Sequence, residues 1–82
     1  MEFLLIASLQ APLSPAVITR LVKCDDKLSK QQTQDEKKKF WQCIDRIDVD
    51  RALVINCRAK NLTTPYWEAT KPERKAYREC FK

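Results

Sequence analysis

The chain has 82 residues, a formal net charge of +5, four cysteines, no histidine and no glycine. That length allows one small domain whose core alone is marginal, and the cysteines point to covalent support. Without histidine the commonest general base and the commonest metal ligand are missing. Without glycine no phosphate-cradling loop of the Walker or dinucleotide type can form.

The chain is therefore read as a non-enzyme with no catalytic residue, no cofactor and no metal site. Its basic residues interleave with acids, as in "DEKKK" and "KPERKAYRE", the pattern of solvated helix faces. Neither a clustered basic stripe nor a recognition motif is present, so no nucleic-acid partner is expected. An acidic protein or an anionic membrane surface fits the charge.

In chain order, "MEFLLIASLQAPLSP" comes first. Phe3 to Leu9 is an apolar run too short to span a bilayer, and Glu2 stands where a signal peptide carries positive charge. Residues 1–13 are read as a retained apolar arm that packs on something else, with Phe3, Leu4, Leu5 and Ile6 as interface candidates. Residues 14–82 are read as one helical domain, because β-hairpin turn dipeptides are missing altogether.

Ser14 followed by Pro15 predicts an N-cap and a proline at the first helical position. Val17, Ile18, Leu21, Val22 and Leu28 follow at helical spacing, with Cys24 close to that face. Ser29–Lys39 has no apolar residue and is either the exposed middle of a long helix or a turn. Thr33-Gln34-Asp35-Glu36 reads as a capping box, which favours a fresh start near Thr33. Phe40, Trp41, Cys43, Ile44 and Ile47 form the next apolar face.

Asp45, Asp48 and Asp50 then make an acidic turn. It lacks the loop glycine and the terminal glutamate of a calcium site, so Asp48 or Asp50 is read as the cap of a helix carrying Leu53, Val54 and Cys57. Thr64 and Pro65 predict a further helix start. "KPERKAYRECFK" predicts a last short basic helix, or a continuation kinked at Pro72. Asn61-Leu62-Thr63 is formally a glycosylation sequon, a pattern short enough to arise by chance.

The gaps between Cys24, Cys43, Cys57 and Cys80 hold eighteen, thirteen and twenty-two residues. Zinc knuckles need much closer pairs. Free thiols on one unbroken helix would place Cys43 and Cys57 on one face about 21 Å apart. Disulfides require the chain to turn. A turn at the aspartate cluster allows nested pairing, Cys43 with Cys57 and Cys24 with Cys80. A turn within Ser29–Lys39 allows consecutive pairing, Cys24 with Cys43 and Cys57 with Cys80. Spacing alone does not choose.

"FWQCID", thirteen residues between cysteines, and "NCRAKNLTTPYWEATKPERKAY" resemble the twin-cysteine helical hairpin proteins of the mitochondrial intermembrane space, closest to the cytochrome c oxidase subunit 6B family. The likeness covers Thr33 to Tyr77. It rests on Phe40 and Trp41 before a cysteine, the acidic turn, Pro65 and Trp67 after the second helix, and the basic-aromatic stretch Arg74 to Tyr77. The family's outer cysteine positions fall on Thr33 and near Thr64, so both outer partners are replaced.

The resemblance implies an all-α fold: a disulfide-stapled antiparallel helical hairpin with an extra short C-terminal helix and an extended apolar N-terminal arm. It implies the nested bonds Cys43–Cys57 and Cys24–Cys80. For function it implies a non-catalytic accessory subunit of a respiratory-chain complex, most closely cytochrome c oxidase, peripheral to the inner membrane on its intermembrane-space side. Its partners would be other subunits of that complex, with peripheral membrane contact through the arm. A subunit of complex I or ATP synthase and a soluble assembly factor are the alternatives. A secreted disulfide ligand is a third class. Trp41, Tyr66 and Trp67 join the arm as interface candidates, because aromatic residues either fill such a core or anchor a partner.

Overall fold

The computed structural model describes residues 12–82, so the expectations for the Met1–Ala11 stretch lie outside the described residues. The described residues form helices joined by turns and contain no strand. Helix α1 spans Pro15–Lys23 and runs into a 3₁₀ turn at Cys24–Lys27. Helix α2 spans Gln34–Asp45, α3 spans Arg51–Asn61, a 3₁₀ turn occupies Tyr66–Glu68, and α4 spans Lys71–Cys80.

The caps explain the boundaries. The Ser14 hydroxyl accepts from the Val17 N–H at 3.3 Å, with Pro15 opening the helix where no N–H is needed. Thr33 and Glu36 form a full capping box on α2. Glu36 does more, because its Oε1 also accepts from the Ser29 N–H at 3.1 Å and the Ser29 hydroxyl at 2.8 Å. That one carboxylate holds the Ser29–Thr33 segment as a turn, and these hydrogen bonds keep its pKa below the usual carboxylate range. Gln32 sits inside the turn at φ 48°. A glycine-free chain must place another residue in that left-handed position. Asp48 does the same at φ 63° in the turn after α2, a conformation aspartate tolerates.

Asp50 is the residue that caps α3, accepting from the Ala52 N–H at 2.9 Å. Across this turn Arg51 grips Asp45 with two hydrogen bonds of 2.9 and 2.6 Å. Thr64 does not cap a helix. Pro65 leads only into the single 3₁₀ turn, and α4 starts later with a second capping box, Thr70 with Glu73. The difference lies three residues downstream of each threonine: Glu73 completes the box at Thr70, whereas Trp67 stands in that place after Thr64. Pro72 lies in the first turn of α4 and kinks nothing.

The expected nested disulfides are not formed. Cys24 pairs with Cys43 and Cys57 with Cys80, with Cα–Cα distances of 5.6 and 5.9 Å. The cause is the turn at Ser29–Thr33, which folds the end of α1 back along α2 and brings Cys24 to Cys43. The irregular segment from Leu62 to Thr70 folds α4 back along α3 in the same way, so Cys80 meets Cys57. The closest packing between elements follows these bonds, with the first 3₁₀ turn on α2 and α4 on α3.

The core between the two halves holds Ile18, Leu21, Leu28, Phe40, Ile44, Val54, Tyr77 and Phe81, all buried. Leu13, at the end of the arm, packs against it, and its N–H donates to the Phe81 carbonyl at 2.9 Å.

In the chain-entropy account, closing loops with separations of 19 and 23 residues stabilises the fold by about 3 kcal/mol per bond. Replacing Cys57, Cys80 or both by serine is expected to cost about the same in each case, about 3 kcal/mol by urea denaturation, because either single change already breaks the bond. Non-reducing peptide mapping should recover the Cys24–Cys43 and Cys57–Cys80 peptides. A Cys43–Cys57 peptide would contradict the fold.

Candidate interaction surface

The sequence-nominated residues separate into two groups. The four cysteines are all consumed in disulfides, Cys24 and Cys57 fully buried and Cys43 and Cys80 half-buried. The described aromatic candidates, Trp41, Tyr66 and Trp67, are half-buried or exposed at the joint between the halves. Phe3, Leu4, Leu5 and Ile6 lie outside the described residues.

Trp41 packs edge-on against Phe40, ring centroids 4.9 Å apart, and the Arg51 guanidinium lies 5.1 Å from its ring. Tyr66 leans on Tyr77 at 5.9 Å and receives Arg74 over its outer face at 5.7 Å. Trp67 donates its indole N–H to the Leu28 carbonyl at 3.1 Å, yet the residue remains 42 % exposed. Ile55, which no sequence argument singled out, is 52 % exposed. A shallow cleft of about 280 Å³ runs between α2 and α3, with Leu28, Phe40, Trp41 and Ile55 in its walls and Gln32, Lys37 and Arg58 beside them. Apolar floor, aromatic wall and a fixed cation give this cleft the make-up of a protein-docking groove.

Beneath it lies Asp25, the only charged residue buried among those described. One terminal nitrogen of Arg58 lies 2.7 and 2.9 Å from the two Asp25 oxygens, and the Tyr66 N–H donates to Asp25 Oδ2 at 2.6 Å. The Arg58 guanidinium also lies 4.8 Å from the Phe40 ring and 5.8 Å from the Tyr77 ring. Burial pushes the Asp25 carboxyl above its ordinary value, against the pull of Arg58 and of the Tyr66 N–H.

Asp25 escaped the sequence reading because "CDDK" looks like solvated surface. Its signal is positional: Ile18, Leu21, Val22, Asp25 and Leu28 share one helical spacing, so the acid sits on the apolar stripe. With no accessible face and its oxygens already occupied, this carboxylate positions the fold and cannot reach a substrate.

Tyr77 is fully buried and its hydroxyl has no hydrogen-bond partner among the described residues. Burial drives its pKa above the ordinary 10.0. Among the described residues no group of three or more His, Cys, Asp or Glu side chains could hold a metal ion, and no helix is long and apolar enough to cross a membrane.

With this geometry in hand, comparison with protein-family models, curated proteins and solved structures gave no match to the chain. The structure itself establishes a twin-disulfide helical hairpin.

Asp25→Asn and Arg58→Met should each destabilise the fold by about 3–5 kcal/mol in urea titrations, because each leaves one buried group without its counter-charge. The double variant should lose far less than the sum. Tyr77→Phe should be neutral or stabilising by up to about 1 kcal/mol, since it removes an unpaired buried hydroxyl. It should also flatten the alkaline limb. A raised folded pKa contributes stability that is complete below the unfolded value of about 10 and is lost as pH rises beyond it, so the wild type should weaken between about pH 9 and 11 more than the variant.

Proposed function

We propose that this protein is a non-catalytic accessory subunit of a mitochondrial respiratory-chain complex, docked on its intermembrane-space side, with a 6B-like position in cytochrome c oxidase as the specific form of the proposal. The supporting observation is the pairing of all four cysteines around a core whose one buried acid is fully engaged, beside an apolar cleft with Trp41 and Ile55 on its rim. Such a body offers a partner a rigid, covalently stapled surface and no reactive group. Persistent structural disulfides belong to oxidising compartments. The partners would be other protein subunits, with no nucleic acid and no cofactor involved.

A second reading has its own observation. The consecutive pairing joins each half to itself, whereas the resemblance implies nested bonds between the two arms of one hairpin. That departs from the pattern the resemblance implies, and a small secreted disulfide domain acting as a ligand is the alternative, for which Trp67 and Ile55 would again be contact residues.

The two readings part in native cells. An antibody against the folded domain, used on blue-native gels of solubilised mitochondria and on culture medium, should find the chain in an inner-membrane complex of hundreds of kilodaltons. Trp41→Ala and Ile55→Asp should release it from that complex while leaving the helical circular dichroism unchanged. Recovery only from the medium would overturn the first reading and support the second.

A further inference from the structure

The Cys24–Cys43 bond has a consequence beyond stapling. It holds the 3₁₀ turn that carries Lys27 against the C-terminal half of α2, and a cleft of about 340 Å³ opens between them. Its walls are Lys27 from the turn, Lys39, Gln42 and Cys43 from α2, and Arg46 at the C-cap of that helix. The last four recur at i, i+3, i+4 and i+7, so they share one side of the helix and its end. Three cations and an amide therefore converge on one small volume, and no carboxylate lines it.

Most of the acids are engaged elsewhere, with Asp26, next to Lys27 in the same turn, an exception. Asp25 is taken by Arg58, Asp45 by Arg51 and Glu68 by Lys30. Glu36 and Glu73 are spent on capping boxes, and Asp50 caps α3. Of the cleft's cations, Lys39 has an exposed partner in Asp35 at 3.3 Å, a surface pair of little strength. Lys27 and Arg46 form no ion pair among the described residues.

We propose that this cleft is a binding site for a phosphate-bearing anion with two or more negative charges. Arg46 supplies the planar fork suited to a phosphate, Lys27 and Lys39 supply point charges from two sides, and the Gln42 amide supplies a neutral donor. A free phosphorylated metabolite and the phosphorylated headgroup of a lipid carry the same chemistry. The site does not depend on the function proposed above and lies apart from the apolar cleft.

The test uses the oxidised full chain, with ¹⁵N-labelled backbone amides followed by NMR in low-salt buffer. Inorganic pyrophosphate is the free probe. Phosphatidylcholine vesicles with and without about 10 % phosphatidylinositol phosphate are the lipid probe, read by co-sedimentation at low salt, where surface charges are least screened. Lys27→Ala and Arg46→Ala should each weaken binding of the responding probe by about fivefold or more, and Arg46→Lys should recover part of it. Lys75→Ala on exposed α4 removes the same charge elsewhere and should change little.

Pyrophosphate shifts confined to residues 24–27 and 39–46 would support a soluble ligand. Vesicle binding that is lost in the Lys27 and Arg46 variants would support a headgroup. The proposal is overturned if neither probe binds, or if Lys75→Ala weakens binding as much as Lys27→Ala, since the response would then be the general positive field of the protein.

Discussion

Everything in this small fold depends on one buried carboxylate. Asp25 receives Arg58 from α3 and the backbone of Tyr66 from the segment before α4, so a single side chain at the end of α1 touches both later parts of the chain. Its burial is costly unless every lone pair is used and the counter-charge is held in place. The Phe40 and Tyr77 rings help hold it, the guanidinium lying near both. The same four residues thus decide where α1, α2, α3 and α4 meet.

The disulfide pattern shows why that meeting point matters. With Cys24–Cys43 and Cys57–Cys80, each bond closes one half of the molecule on itself, and only the short link from Arg46 to Asp50 joins the halves covalently. A nested pattern would have tied them together twice. Here the joint is carried by non-covalent contacts: the Asp25 cluster, the Trp67 indole on the Leu28 carbonyl, the Leu13–Phe81 backbone bond and the shared apolar core. The Lys30–Glu68 pair also spans the joint, but it is solvent-exposed and adds little. Opening of this molecule should therefore begin between the halves rather than within either of them.

Helix starts were legible at Ser14, Thr33 and Asp50, whereas the box of Thr70 with Glu73 was passed over for Thr64, which caps no helix. The apolar faces of α1, α2 and α3 were legible from spacing, because residues such as Ile18, Leu21, Ile44 and Val54 have no alternative to burial. The disulfide partners were not. They follow from which polar stretch turns, and the resemblance to twin-cysteine hairpins favoured the aspartate cluster alone. The capping box at Thr33 already implied a break before it, and the Glu36–Ser29 bonds show how that break is held. Asp25 was hidden for a different reason. Its composition reads as surface, and only its register on the α1 stripe marks it as buried.

That hidden acid also accounts for the character of the surface above it. The fold draws much of its negative charge inward or into caps and short intramolecular clamps, through Asp25, Glu36, Asp45, Asp50 and Glu73. Few of the lysines and arginines are used in this way, Arg51, Arg58 and Arg74 being the principal ones. The sequence carries an excess of +5, and Lys27, Lys39 and Arg46 line one cleft beside the first disulfide. The apolar aromatic cleft lies at the joint between the halves, and the cationic cleft lies within the first half. A protein partner at the former and an anion at the latter could act on the same small body without competing for its side chains.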